Sequence, residues 1–243
     1  MEMPHSTLSR SGPIRDPSTP LILAETRRLL ARRPIIEQRY FARLREGTMD
    51  RASFLRSQRQ FFFAVRFFSR PIAALVSRLP DSARRRDLVH NLAEEQGDFL
   101  PEQAHDRTFA AFLQSLGTSP GEVQREEESA AVQAFNLALL GVCLGGEVES
   151  AFGCLGLIEF AFADISALIA RVVVDRGWVA GENLVHYNLH AEIDQRHAAE
   201  IFAVIEPDFA DPEKRRLITQ GLALGRHLFA RLYDDLDTLA TPR

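Results

Sequence analysis

From Leu21 onward, apolar residues return every three or four positions, and the runs are punctuated by proline, by glycine and by Asp or Ser at capping positions. A chain written in that period lays an apolar stripe along each helix and must bury it against other helices. No alternation of Val, Ile or Thr bounded by hairpin turns occurs, so strands are not expected. The fold class predicted is all-α: a single-domain bundle over residues 19–243, preceded by an arm over residues 1–18 whose Pro4, Pro13 and Pro17 carry no periodicity.

The punctuation gives the elements. LILAETRRLLARR and IIEQRYFARLREG are separated by Pro34, which suits the first turn of a second helix. Asp50 can cap the long run to Arg70, and Pro71 is expected to kink or restart it. Asp81 caps the next helix, which Gly97 closes or bends; another ends at Gly117. Ser119-Pro120 opens one continuous helix to Gly145, and a long, mostly apolar helix then runs from Glu147 toward Gly177. Two more, ENLVHYNLHAEIDQRHAAEIFAVI and PEKRRLITQGLALGRHLFARLYDDLDTL, complete the bundle.

Composition excludes several functions. The formal net charge of the 243 residues is −4, with the abundant Arg matched by acids along the same segments, so nucleic acid is not an expected partner. Neither a secretory h-region nor a run of about 18 apolar residues occurs, so no membrane partner is expected and the predicted location is cytoplasmic. Cys143 and Cys154 lack C-x-x-C spacing and sit among apolar neighbours, which suits a reducing compartment and gives no zinc knuckle.

The chemistry concentrates on the histidines. His190, Asp194 and His197 stand at i, i+4 and i+7, which puts all three on one helix face. A carboxylate followed three residues later by histidine is the device by which one helix of a bundle supplies ligands to two metals. Leu189, Ile193 and Ile201 mark the side expected to be buried beside them. The plainer reading is a solvated stripe paired with Arg196.

Glu159 interrupts AFGCLGLIEFAFADI, where every neighbour within a turn is apolar or small. A buried carboxylate without a partner costs several kcal/mol, so a metal or a proton is expected there, unless an arginine from elsewhere pairs with it. Asp164 shares that helix and is a candidate outer-layer group or substitute ligand. Gly153 and Gly156 allow a close approach of backbone or ligand, or simply tight helix packing. Glu95 and His105 flank the bend at Gly97 and Pro101, which could bring both to one metal, with Glu94 and Asp98 as alternates. His186, one turn before His190, is a candidate extra ligand or second-layer donor, or else simply a satisfied histidine.

Three carboxylates and three imidazoles form a mixed hard and borderline set, suited to iron or manganese. Two Fe(II) ions would set four positive charges against three carboxylates, leaving about one net positive charge to attract an anion.

At these residues the sequence resembles the heme-oxygenase-like di-iron oxidases and oxygenases, whose pattern is a Glu, a His ten residues on, a Glu in an apolar Gly-containing helix, and a final His-x-x-x-Asp-x-x-His. In this chain those are Glu95, His105, Glu159, His190, Asp194 and His197. The resemblance covers most of the chain after residue 35, the segment RYFARLREGTMDRASFLRSQRQFFFAV included. It implies a heme-oxygenase-like fold of about seven helices, two Fe(II) ions held by those six residues, and O2 as co-substrate. It further implies oxidation of a small acid, amino-acid-like or fatty-acid-like, by N-hydroxylation, desaturation or carbon–carbon cleavage, within a biosynthetic role.

Phe61, Phe62, Phe63, Phe67 and Phe68 are candidate walls of the substrate cavity, or else plain core or a dimer surface; a homodimer is possible. The rivals are a metal-free thiaminase-like or pyrroloquinoline-quinone-synthase-like enzyme of the same fold, for which Cys143 or Cys154 would be the nucleophile, a heme protein with a single histidine ligand, and a non-catalytic helical module.

Overall fold

The computed structural model describes residues 20–241; the arm predicted at residues 1–18 lies outside them. Among the described residues there are ten α-helices and no strands. They are α1 (Leu21–Arg32), α2 (Arg39–Glu46), α3 (Arg51–Arg78), α4 (Ser82–Glu95), α5 (His105–Ser115), α6 (Pro120–Arg125), α7 (Ala130–Gly145), α8 (Val148–Asp175), α9 (Val185–Ile205) and α10 (Pro212–Ala240). None is long and apolar enough to cross a membrane.

The count is ten where the resemblance implies about seven. Two boundaries differ from the sequence reading, and one of them adds a helix. Pro34 opens a short 3-10 turn, Ile35–Glu37, and α2 starts only at Arg39. Gln60 breaks the helix expected from Pro120 to Gly145. Its amide donates to Glu126 Oε1 and the Glu127 carbonyl, both at 3.0 Å, and its oxygen accepts the Ser129 amide at 2.9 Å. Three consecutive glutamates cross that break, where helical stacking would crowd like charges, and Ser129 then caps α7. Pro71, by contrast, does not restart α3, which runs through it with Ile72 and Leu75 fully buried on the following turn.

Asp50 caps α3 by accepting the Ser53 amide at 2.6 Å, Asp81 accepts the Ala83 amide at 2.7 Å, and Gly97 ends α4 with φ of +70°. Glu206, just past α9, accepts the Leu21 and Ile22 amides and so ties the start of α1 to the end of α9.

The apolar helix α8 is the axis of the core, lying against α9 on one side and α10 on another. Its glycines make that possible. A methyl group at Gly153 would sit 2.6 Å from the Ile218 carbonyl oxygen of α10, and one at Gly225 of α10 would sit 2.5 Å from that of Cys154. Their part is thus backbone packing, as is that of Gly156, which faces the Phe202 ring of α9. On the other flank α3 packs on α5, α7 and α10, while α4 and α5 close over α9.

Candidate metal centre

On α9 the buried positions are His186, Tyr187, His190, Asp194, His197, Ala198, Ile201, Phe202 and Ile205, so the histidine face is itself the inward face. Leu189 and Ile193 sit at its margin, half-buried, and wall a separate cleft; only Ile201 of the three expected markers is in the core. Glu159 arrives opposite from α8 and is 2 % exposed. Glu95, from the last turn of α4, and His105, from the first turn of α5, are likewise buried.

These side chains meet. Ligand atoms of Glu95, Glu159 and His197 lie within 4.8 Å of one another. His197 Nδ1 is 4.0 Å from Glu159 Oε2 and 3.9 Å from Asp194 Oδ1. His190 Nδ1 donates to Asp194 Oδ1 at 2.7 Å, and the His105 and His190 rings are 4.4 Å apart. His105 Nδ1 stands 3.0 Å from Glu95 Oε2, but the pair is not aligned as a hydrogen bond.

Each of the six candidates keeps one buried donor atom without a hydrogen-bond partner in the chain: Glu95 Oε1, His105 Nδ1, Glu159 Oε1, His190 Nε2, Asp194 Oδ2 and His197 Nδ1. His186 adds a seventh, Nε2, since its Nδ1 is engaged by Thr108 Oγ1 at 3.0 Å. Each such orphan costs about 1–3 kcal/mol unless an ion, a ligand or water satisfies it, and their concentration on neighbouring ligand-type side chains is what a metal centre requires. Oxygen and imidazole nitrogen with no thiolate fit iron.

The electrostatics say the same. Burial, reinforced by the charges of Asp194, Glu95 and Glu94, pushes the Glu159 carboxyl well above its usual range. Burial also raises Asp194, with Glu95 adding to it against the opposing pull of His197. Burial works to raise Glu95 too, but the imidazoles of His105, His190 and His197 overcome it and hold that carboxyl low. His190 is depressed to about 3 by burial and by His105, so it stays neutral with a free lone pair. Burial and the neighbouring His190 and His105 depress His186 as well. A cation among these groups would reverse the penalty on every carboxylate.

The alternates separate cleanly. Glu94 does not face the cluster; it accepts His197 Nε2–H at 2.9 Å from behind while Arg196 donates to it at 3.0 and 2.6 Å. That bond fixes the tautomer that leaves His197 Nδ1 free, the way an outer carboxylate orients a metal-binding histidine. Glu94 also approaches His90 and Glu200 in a more exposed cluster, where Arg196 already neutralises both acids. Asp98 is exposed with φ of +50°, away from the cluster. Asp164 is exposed as well and borders a cleft against Arg27 and Phe160, so it is neither a ligand nor a ligand's support.

An apolar cavity adjoins the cluster, its walls including Phe61, Phe68, Phe135, Phe162 and Phe229. The space open to the centre of a water molecule is about 40 Å³, room for a few waters or a slender group. Of the phenylalanine run on α3, Phe61 and Phe68 line it; Phe62 stacks on Phe109, and Phe63 and Phe67 lie under Arg66 and Arg70. Phe162 could have been found in the sequence, one turn after Glu159; Phe135 and Phe229 carry no local signal. Both cysteines are buried, and burial pushes the thiol of Cys143 up to about 12 and that of Cys154 higher still, which leaves neither as a nucleophile.

Comparison with known proteins identifies the family and the fold. The model of the family described as "Iron-containing redox enzyme" matches residues 56–230, a span from α3 to α10 that contains all six candidate ligands. The 4-aminobenzoate synthase of Chlamydia trachomatis is 24% identical over 200 residues, covering 80% of this chain and 85% of that protein. A CADD-like protein of unknown function from Nostoc punctiforme superposes with a TM-score of 0.76 at 17% identity, covering 91% of this chain and 97% of that one. A domain with a heme oxygenase-like fold from Shewanella denitrificans gives 0.67 at 14% identity, covering 88% of each chain. The fold is therefore heme oxygenase-like, and the chain belongs to the iron-containing redox enzyme family.

Proposed function

We propose that this chain is an O2-dependent oxidoreductase with two Fe(II) ions held by Glu95, His105, Glu159, His190, Asp194 and His197, and that it oxidises a small acid. The observation that carries the reading is the set of buried, unpartnered donor atoms, one on each of those six residues. Membership of a family of iron-containing redox enzymes supports the metal, and relatives named 4-aminobenzoate synthase support a small acid and a biosynthetic role. When bound, two Fe(II) ions would supply two of the electrons that dioxygen takes up, with the substrate as a further source.

The chain's own residues do the rest. Glu94 holds His197, Asp194 holds His190, and Thr108 holds His186, so the imidazoles are oriented before metal arrives. The phenylalanine walls make the space beside them apolar, which strengthens the charge interactions next to it. Anaerobic Fe(II) titration followed by an oxygen pulse tests the proposal. Two Fe(II) per chain with oxygen uptake, and loss of both in His190→Ala, are expected; one equivalent or none refutes the di-iron reading.

A further inference from the structure

Resting on that reading, we propose that Arg66 and Arg70 of α3 form an anion-binding mouth over the candidate metal centre, and that the substrate presents a carboxylate there with its apolar part reaching inward. A polar cleft of about 220 Å³, measured as the space open to water centres, lies beside the inner cavity. Val65, Glu95 and His105 wall both, so the outer cleft shares a partition with the phenylalanine-lined space and two candidate ligands sit in that partition.

Arg66 and Arg70, one helical turn apart, stand at the rim with Ser69, Gln96 and Asp106. Neither guanidinium reaches a carboxylate among the described residues, whereas Asp106 lies 3.9 Å from Arg107. Aromatic faces orient both: Arg66 lies 4.9 Å from the Phe63 ring centre and 5.6 Å from that of Phe62, and Arg70 lies 4.9 Å from that of Phe67. Two forks held in place with their donors free match a planar carboxylate.

A second cleft, also walled by His105, opens on the other side of the α4–α5 connection, and its charged groups are Glu94, Asp98 and Glu102. Asp98 and Glu102 have no cation against them among the described residues, whereas Arg66 and Arg70 offset Glu95 and Asp106 at the other rim, so an anion is favoured at the Arg66–Arg70 opening. The ends of the substrate then follow. The acid stays at the rim, and the carbon that reaches past Glu95 and His105 enters apolar surroundings.

Calorimetric titration of benzoate, phenylacetate and octanoate, each against its own neutral amide, tests this in the metal-free and the Fe(II)-loaded protein under anaerobic conditions. At least one acid should bind about tenfold more tightly than its amide, with a preference that shrinks as salt rises. Arg66→Gln and Arg70→Gln together should remove the preference while melting temperature and iron stoichiometry stay at wild-type values; Glu102→Gln in the acidic cleft should leave it intact. The inference is overturned if no acid is preferred over its amide, or if the double variant retains the preference. Iron stoichiometry reads the di-iron proposal separately: if iron does not bind, the acid-to-amide ratio of the metal-free protein still decides the role of the two arginines.

Discussion

Glu159→Gln should make the metal-free protein more stable than wild type at neutral pH, and iron should reverse the order. Glu159 is 2 % exposed, its Oε1 has no partner, and burial together with three neighbouring carboxylates raises its pKa well above the ordinary 4.5. A carboxyl whose folded pKa exceeds its unfolded one binds a proton on folding. Its contribution is therefore fully present below about pH 4.5 and fades as the pH climbs toward the folded pKa.

The steepest fade is one proton's worth, about 1.4 kcal/mol per pH unit. For a chain of 243 residues, 1 kcal/mol moves Tm by about 2–4 °C, so wild type should fall behind the Gln variant by at most about 3–5 °C per pH unit from pH 4.5 upward. The figure is a ceiling because Asp194 shares the same field and the two carboxyls titrate together. Glutamine has nearly the same volume, so packing on α8 is kept.

Bound Fe(II) removes the penalty by pairing with the ionised carboxylate. At one hundred times its dissociation constant it adds about 2.7 kcal/mol, or about 5–11 °C, to wild type. The variant, lacking a ligand, gains less, and the melting curves cross. Differential scanning calorimetry from pH 4.5 to 8, with chelator and then with anaerobic Fe(II), reads both halves. Parallel pH profiles of the two metal-free proteins would mean that Glu159 titrates as an ordinary surface carboxyl, and the electrostatic description of the centre would be wrong.

Glu94→Gln should weaken iron affinity by about 10–100-fold without removing a ligand, because His197 loses the carboxylate that fixes its tautomer; competition with a colorimetric chelator measures it. Gly225→Ala places a methyl group 2.5 Å from the Cys154 carbonyl oxygen and should cost about 1–3 kcal/mol, seen as a Tm lower by about 2–12 °C. Asp164→Asn should leave iron stoichiometry and affinity unchanged in the same titrations, since its side chain is exposed on another face of α8.

What the sequence disclosed depended on how local the signal was. His190, Asp194 and His197 share a face by helical period alone, and Glu159 stands out as the acid in an apolar stretch, so both are legible from spacing. Asp164 misleads by the same logic: five residues on an α-helix turn the side chain by about 140° from Glu159, and it emerges in solvent. The break at residues 126–129 is invisible locally because the group that makes it, Gln60, lies 69 positions before Ser129. Glu94 and Glu95 are adjacent acids at the end of one helix; which faces the centre is decided by the rotation of α4 against α9, and only the fold supplies that.

The spacing of Glu95 and His105 has a physical origin in the connection between α4 and α5. Gly97, Asp98 and Phe99 all have positive φ, at 70°, 50° and 68°, and the latter two are the non-glycine residues with positive φ among the described residues. Asp98 and Phe99 each cost about 1–2 kcal/mol of local strain, which Gly97 avoids by lacking a Cβ. Gly97 is irreplaceable on a second count, since a methyl group there would lie 2.6 Å from the Leu100 carbonyl oxygen. The strained turn lets the chain double back within ten residues, so that the end of one helix and the start of the next point to one place. Glu159 and the α9 residues ride instead on helices locked by glycine packing and buried aromatics. The centre thus has a rigid side and a strained side, and both charged clefts are walled by His105, on the strained one. An acid arriving through the Arg66–Arg70 opening, or a cation through the acidic one, would meet first the part of the site whose backbone is most costly to hold, where its own contacts can stabilise the turn.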